Sequence, residues 1–292
     1  MRVSEIELIS PTSVLECLTY LANSGRTARL LAGGTDAVVQ MKEGIRRPDI
    51  WINIKGLKEL RFIREEEDGI HIGPLTTHTD VFRSSLLQGK ADALVEACRE
   101  VGAAQIRNMG TIGGNLATAS PAGDTIPALY LYNTELELQS LSGRRRVRIE
   151  DFFHGPRRTE LREHEMITSI VIQPQKPNEC SIFQKLGPRK AQAISIVNVA
   201  IMLTMGPGSR ECLGGRIALG SVGPTIVRAR KCEGMLACAP LTDECIHDIG
   251  KMAWKEVAPI SDIRASAEYR RDMTSALVER GLYRLIKRWE AK

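Results

Sequence analysis

Residues 29–41 read RLLAGGTDAVVQM. A short apolar run meets two adjacent glycines, a hydroxyl and a carboxylate, and then a segment that resembles a helix. Consecutive glycines after a strand let the backbone come close to a ligand and turn its N–H groups inward, and such a concave row of amides holds phosphate oxygens. The pattern returns at residues 107–124, RNMGTIGGNLATASPAGD, where Thr111 matches Thr35 as a neighbouring hydroxyl. One such turn suits one phosphate group; two suit a diphosphate, as a dinucleotide presents it. Neither is the phosphate loop G-x-x-x-x-G-K-[ST], and neither fits the G-x-G-x-x-G fingerprint. A lone Gly-Gly reads as a tight strand connection, but the pair with matching threonines points toward a ligand.

Upstream of the first turn, Ser13 and Glu16 have capping-box spacing. Leu15, Leu18 and Leu21 form one apolar stripe, and Asn-Ser-Gly stops the helix at Gly25. Ala28 to Ala32 reads as a short buried strand and Ala37 to Lys42 as a short helix. PDIWINIKG is a further strand, GIHIGPLTTHTDV a strand running into a turn, and Leu94 to Val101 a helix. ALYLYNTELELQSLSGRRRVRIEDFF reads as a helix end followed by alternating strands across a Ser-Gly turn. The composition changes at IQPQKPNEC, residues 172–180, which reads as an interdomain linker. Beyond it AISIVNVAIMLTMG and GGRIALGSVGPTIVRA are strands, and the chain is helical from Cys245 onward. The class is α+β, with sheets first and helices gathered at the end.

The chain has 292 residues, 43% hydrophobic and 26% charged, an ordinary globular composition long enough for two domains. A net charge of +5 is too mild to argue for nucleic acid. The dense run Arg144, Arg145, Arg146 and Arg148 lies between apolar stretches and reads as a solvated hairpin. No stretch is long and apolar enough to span a membrane. The start MRVSEIELISPTS lacks the apolar core of a secretory signal. Seven cysteines, scattered and odd in number, suit a reducing cytoplasm. Cys232, Cys238, Cys245 and His247 have no CxxC pair among them and read as buried helix thiols rather than a metal site.

LLAGGTDAVVQMK, QIRNMGTIGGNLATASPAGDTIPAL, FQKLGPRKAQAISIVNVA and SDIRASAEYRRDM, in this order, resemble the FAD-binding medium subunit of the molybdenum hydroxylases. That family includes xanthine dehydrogenase and carbon monoxide dehydrogenase types. The resemblance covers essentially the whole chain. It implies a vanillyl-alcohol oxidase (PCMH)-type FAD-binding domain over residues 1–174, with subdomains near 1–56 and 57–174. A small α+β domain of the CO dehydrogenase flavoprotein type follows over 178–288. Leu30, Leu31, Ala32, Gly33, Gly34, Thr35, Asp36 and Ala37 would form the first FAD segment. Thr111, Ile112, Gly113, Gly114 and Asn115 would form the second, with Thr118 beside it. Asp124 would accept from ribityl or ribose hydroxyls, Ile167 would contact the flavin, and Lys185 would lie along the cofactor near the ring.

By the same resemblance the chain takes electrons from the [2Fe–2S] clusters of a small partner subunit and passes them to NAD+ or another acceptor, while a large partner holds the molybdenum cofactor. No side chain of this chain is then a catalytic acid or base, and FAD is its only cofactor. A free-standing flavin oxidoreductase and a non-catalytic nucleotide-binding scaffold are the alternatives. Where some relatives carry a ring-stacking aromatic, EVGAAQIRN offers valine and alanines, leaving Phe183 and Tyr130 as substitutes. Asp124 could instead cap the helix it precedes. Asp262, Arg264 and Tyr269 read as a structural network, and Gln105, Arg107 and Asn108 as residues that fix the second loop.

Overall fold

The computed structural model describes residues 7–23, 27–45, 48–207, 210–237 and 240–291. The expected helix stop at Gly25 and Cys238 lie outside them. The chain begins β1 (Glu7–Ile9), α1 (Val14–Asn23), β2 (Ala28–Leu31), α2 (Ala37–Lys42) and β3 (Ile50–Asn53), a parallel sheet in the order β1-β3-β2. The Ser13 hydroxyl accepts the Glu16 amide at 3.1 Å. The Glu16 carboxylate reaches back past Ser13 to the amide and hydroxyl of Thr12. Leu15, expected in the apolar stripe, is 67% exposed; Cys17, Leu18 and Leu21 face Ile50 and Ile52 instead. At about 100° per residue, Leu15 falls roughly a quarter-turn off the stripe of residues 14, 17, 18 and 21. As an outer strand β2 is half-buried, not buried as expected.

Next come β4 (Ile63–Glu66), β5 (Gly69–Ile72), α3 (His78–Arg83), α4 (Asp92–Glu100), α5 (Ala104–Met109), α6 (Ile112–Thr118) and α7 (Thr125–Tyr130). They are followed by β6 (Glu135–Ser140), β7 (Gly143–Arg148), α8 (Ile149–Phe152), a small ribbon of β8 (Phe153–Gly155) and β9 (Arg158–Thr159), and β10 (Met166–Ile172). An antiparallel sheet runs β4-β5-β10-β6-β7. Its inner face, with Ile70, Ile72, Leu136, Leu138 and Ile170, packs against Leu94, Leu116 and Leu129 of the helices. The arginine run lies on the edge strand β7. Arg145 pairs with Glu165 at 2.7 Å and Arg146 with Glu137 at 2.8 Å and Asp68 at 2.7 Å, a solvated hairpin as expected. Charge along an edge strand also discourages pairing with another chain.

The last part comprises β11 (Glu179–Leu186), β12 (Val197–Met205), β13 (Cys212–Gly220), β14 (Val227–Arg228), α9 (Arg230–Leu236), α10 (Asp243–Glu256) and α11 (Ala267–Glu290). Both faces of this antiparallel sheet are covered. Phe183, Ala200, Met202 and Ala218 join the core with α4 and α7, whereas Ile182, Val199, Ile201, Leu203, Ile217 and Leu219 join that of α9, α10 and α11. Burial on two sides explains why β12 reads as one continuous apolar run rather than an alternating one. The α+β class holds, but the helices are not all gathered at the end, since five lie between β5 and β6. Among the described residues no helix is long and apolar enough to cross a membrane.

The segment between β10 and β11 is pinned. Gln175 donates to the Gly89 carbonyl and to Asp92, and accepts from Ser181 at 2.8 Å. The fully buried Tyr132 hydroxyl lies 2.8 Å from the Ser181 hydroxyl and accepts the Ala93 amide at 3.0 Å. Tyr132→Phe removes this junction and lowers stability by about 1–3 kcal/mol. The expected signature is a lower urea midpoint with an unchanged slope.

Candidate functional site

The two glycine stretches meet. A methyl group placed on Gly33 would lie 1.8 Å from the Met109 carbonyl oxygen, so at this position only hydrogen fits between the loops. Gly34 has φ +72°, the left-handed region that glycine adopts without strain. The turn leaves the C-terminal end of β2, the end of a parallel sheet where ligands gather. Among the described residues, the amides of Gly33, Gly34, Thr35 and Asp36 have no protein acceptor. Asp36 ties the loops together, because its Oδ2 accepts from the Thr118 hydroxyl at 3.0 Å and from the Gln40 side-chain amide.

The second stretch differs from expectation. It follows α5 rather than a strand, and Gly113 and Gly114 lie in the first turn of α6. The amides of its helix start are already satisfied: Ile112 by Thr76, Gly113 by Pro74, Gly114 by the Thr111 hydroxyl and Asn115 by the Thr111 carbonyl. This stretch therefore offers close backbone approach and side chains, and the open row of amides belongs to the first turn alone. Arg107 holds the preceding loop through the Val101 and Gly102 carbonyls, and Asn108 accepts from Thr79 at 2.6 Å, the loop-fixing role expected of them.

Both stretches wall a cavity of about 1460 Å³. Leu30, Ala32, Gly33, Gly34, Thr35, Asp36, Ala37, Thr111, Gly113, Gly114, Asn115, Thr118, Asp124 and Ile167 line it. Three expected residues do not. Leu31 alternates with Leu30 and faces away, as neighbours on a strand do. Ile112 is fully buried in the helix–sheet core. Lys185 lies behind the wall, 7% exposed, with its three hydrogens on Asp124 Oδ2 at 2.7 Å, the Glu100 carbonyl at 2.7 Å and the Ala193 carbonyl at 3.1 Å. Its charge is thus neutralised within the protein.

Asp124 stands at the N-cap position of α7, but its side chain makes no capping hydrogen bond. Its Oδ1 accepts from Ser195 at 2.5 Å and Asn198 at 3.0 Å, and with Lys185 on Oδ2 most of the carboxylate's acceptor capacity is taken. The Asn115 Oδ1 accepts the Thr125 hydroxyl at 2.7 Å. Phe183 and Tyr130 are core residues off the cavity, Tyr130 lying against Phe153. Apart from Trp51, the apolar side chains of the wall are non-aromatic, with Val101, Ile106, Ile167, Ile194 and Ile260.

Several wall residues carried no sequence signal. Trp51, Gln40 and His78 are buried in it, and Trp51 Nε1 and Gln40 Oε1 have no hydrogen-bond partner among the described residues. Burial and the nearby Arg107 charge hold the His78 imidazole down at a pKa of about 4. The C-terminal part also lines the cavity, where Asp262 accepts from buried Arg270 at 2.7 Å and from the Arg264 amide at 2.9 Å. This is the expected network, without Tyr269. Of the cysteine–histidine group, Cys232 donates to the Ile249 carbonyl in the core while His247 pairs with Glu279 at the surface.

Residues 4–175 match the family described as the FAD binding domain in molybdopterin dehydrogenase, and residues 183–285 the CO dehydrogenase flavoprotein C-terminal domain. The chain is 34% identical to the nicotinate dehydrogenase FAD-subunit of Eubacterium barkeri, over 86% of each chain. It is 31% identical to the carbon monoxide dehydrogenase medium chain of Hydrogenophaga pseudoflava, covering 94% of this chain and 95% of that one. A solved chain of carbon monoxide dehydrogenase from that organism, lacking the Mo-pyranopterin moiety, superposes with a TM-score of 0.92 at 30% identity, over 97% and 98% of the two chains.

Removing the Lys185 ammonium strands a buried carboxylate. Lys185→Met is expected to cost about 3–5 kcal/mol. Adding Asp124→Asn recovers a large part of it, as a double-mutant cycle followed by chemical denaturation reads directly.

Proposed function

Because the chain belongs to the FAD-binding family of the molybdopterin dehydrogenases, we propose that it is the FAD-carrying medium subunit of a heteromeric molybdenum hydroxylase. Residues 1–174 make the FAD-binding domain, with subdomains near 1–56 and 57–174, and 178–288 the C-terminal domain. The two matched family segments, which adjoin at this boundary, support that division.

The observation that carries the reading is the open row of amides at residues 33–36, pressed against the second glycine loop inside one large cavity. A diphosphate supplies the acceptors those amides lack, and a dinucleotide needs more room than the roughly 300–1,000 Å³ typical of small-ligand pockets. Trp51 Nε1 and Gln40 Oε1 add a donor and an acceptor left unmatched among the described residues. Gly33, Gly34, Thr35 and Asp36 hold the diphosphate; Thr111, Gly113, Gly114, Asn115 and Thr118 flank it. Asp124, held by Lys185, Ser195 and Asn198, lies on the same wall, and Ile167 offers apolar contact to the ring. Lys185 acts by positioning Asp124 and does not touch the cofactor.

FAD supplies exchange between single-electron and two-electron carriers: the [2Fe–2S] clusters of a small partner subunit on one side, NAD+ or another acceptor on the other. A large partner subunit holds the molybdenum cofactor and the substrate. The chain itself binds, orients and shields the flavin.

The purified chain is expected to take up one FAD, turn yellow and release the flavin on denaturation. Bound flavin is then reduced by the partner subunits or by NADH. Gly33→Ala forces a carbon onto the Met109 carbonyl and is expected to weaken FAD binding by about tenfold or more with the fold retained. A chain that takes up no flavin ends the reading. A small substrate that bleaches the flavin with no partner present replaces it with a free-standing oxidoreductase. ATP or coenzyme A competing on equal terms with FAD replaces it with a nucleotide-binding scaffold.

A further inference from the structure

His78 is the first residue of α3, after the Thr77 cap. Its amide donates to the Gly110 carbonyl at 3.1 Å, which fixes the residue beside the junction of the two glycine loops. A methyl group placed on Gly110 would lie 3.2 Å from His78 Cδ2 and 3.3 Å from Thr35 Oγ1, so the ring edge that carries Nε2 and the hydroxyl of the first turn both lie against Gly110. The residue is 3% exposed and lines the cavity. Nδ1 lies 3.7 Å from Cys98 Sγ. Nε2 has no protein partner among the described residues. Burial and the Asp124 charge raise the Cys98 thiol pKa, so it keeps its proton. The thiol S–H can then donate to Nδ1, which leaves the imidazole proton on Nε2.

We propose that His78 Nε2–H donates to the diphosphate of the bound dinucleotide where the two loops join, with Cys98 as the positioning residue that selects the Nε2–H tautomer. The inference rests on the flavoprotein reading above. The ring is uncharged at neutral pH, so it gives a hydrogen bond to an anion without the cost of a buried cation. The charged and titratable groups around it fit that role. From α5, Arg107 is held by the Val101 and Gly102 carbonyls; from α4 comes the protonated Cys98; on its own helix Asp80 pairs outward with Arg61 at 2.9 Å.

The test titrates the full apo chain with FAD, ADP and riboflavin by calorimetry. His78→Leu is expected to weaken FAD and ADP alike by about tenfold and to leave riboflavin unchanged, while His78→Gln, whose amide nitrogen can stand in for Nε2, recovers most of the loss. In ¹⁵N NMR of the wild-type chain, His78 carries its proton on Nε2, the Nε2 resonance moves on adding ADP, and Cys98→Ala releases the other tautomer. This readout needs no His78 variant to fold. Wild-type affinity of His78→Leu for FAD and ADP overturns the proposal, as does a loss confined to FAD or a ring protonated on Nδ1. Wild-type chain that binds FAD with an unmoved His78 resonance overturns this proposal alone; binding of neither FAD nor ADP overturns the flavoprotein reading with it.

Discussion

The two glycine loops touch because one residue has no side chain. With only hydrogen on Gly33, the turn after β2 rests on the Met109 carbonyl, and two loops more than seventy residues apart become one continuous wall. Hydrogen bonds alone would not hold them there, since each is worth only about 1 kcal/mol net. The apolar contacts behind them do. Leu75 and Met166, from the second part of the chain, are buried in the same core as Leu18 and Ile52 of the first sheet. Docking of those two parts sets the loop spacing, and the Thr118–Asp36–Gln40 chain locks it across the cavity.

Another part of the cavity wall depends on a charge pair. Lys185 and Asp124 are each more than nine-tenths buried, a costly arrangement unless the remaining donors and acceptors are matched. Here they are: two carbonyls complete the ammonium, and Ser195 and Asn198 complete the carboxylate. The pair joins the start of α7 to β11 and β12, and so connects the FAD-binding part to the C-terminal sheet. A buried ion pair is weak evidence for stability but a good device for register, because a displaced strand would leave a charge without a partner.

Legibility followed the range of the interaction involved. Strands β12 and β13 and helices α1, α4 and α10 announce themselves by periodicity or by continuous apolar runs, which depend on neighbours in the chain; β11 has no such signal. The glycine pairs were equally visible, yet they do different jobs. Gly33–Gly34 opens its amides, while those of Gly113–Gly114 are closed by Pro74 and Thr111, and nothing in TIGGN marks that difference. Leu15 misled because three leucines suggested a stripe that the sheet beneath placed a quarter-turn away. The resemblance places Lys185 along the cofactor, whereas in the structure its ammonium is held by Asp124 and two carbonyls. Its partners Glu100, Asp124 and Ala193 are set by how β11 lies on α4 and α7. His78, Trp51 and Gln40 carry no motif at all and count only because the fold turns them toward one cavity.

By itself the chain's order of residues determined an α+β protein with two close-approach turns and family-specific segments from end to end, since these rest on backbone freedom and local spacing. Tertiary structure alone decided which turn keeps its amides open, which charges cancel and which buried side chains face the cavity. Each of those outcomes depends on a partner brought from a distant part of the chain by packing, and no local pattern encodes where that partner will be.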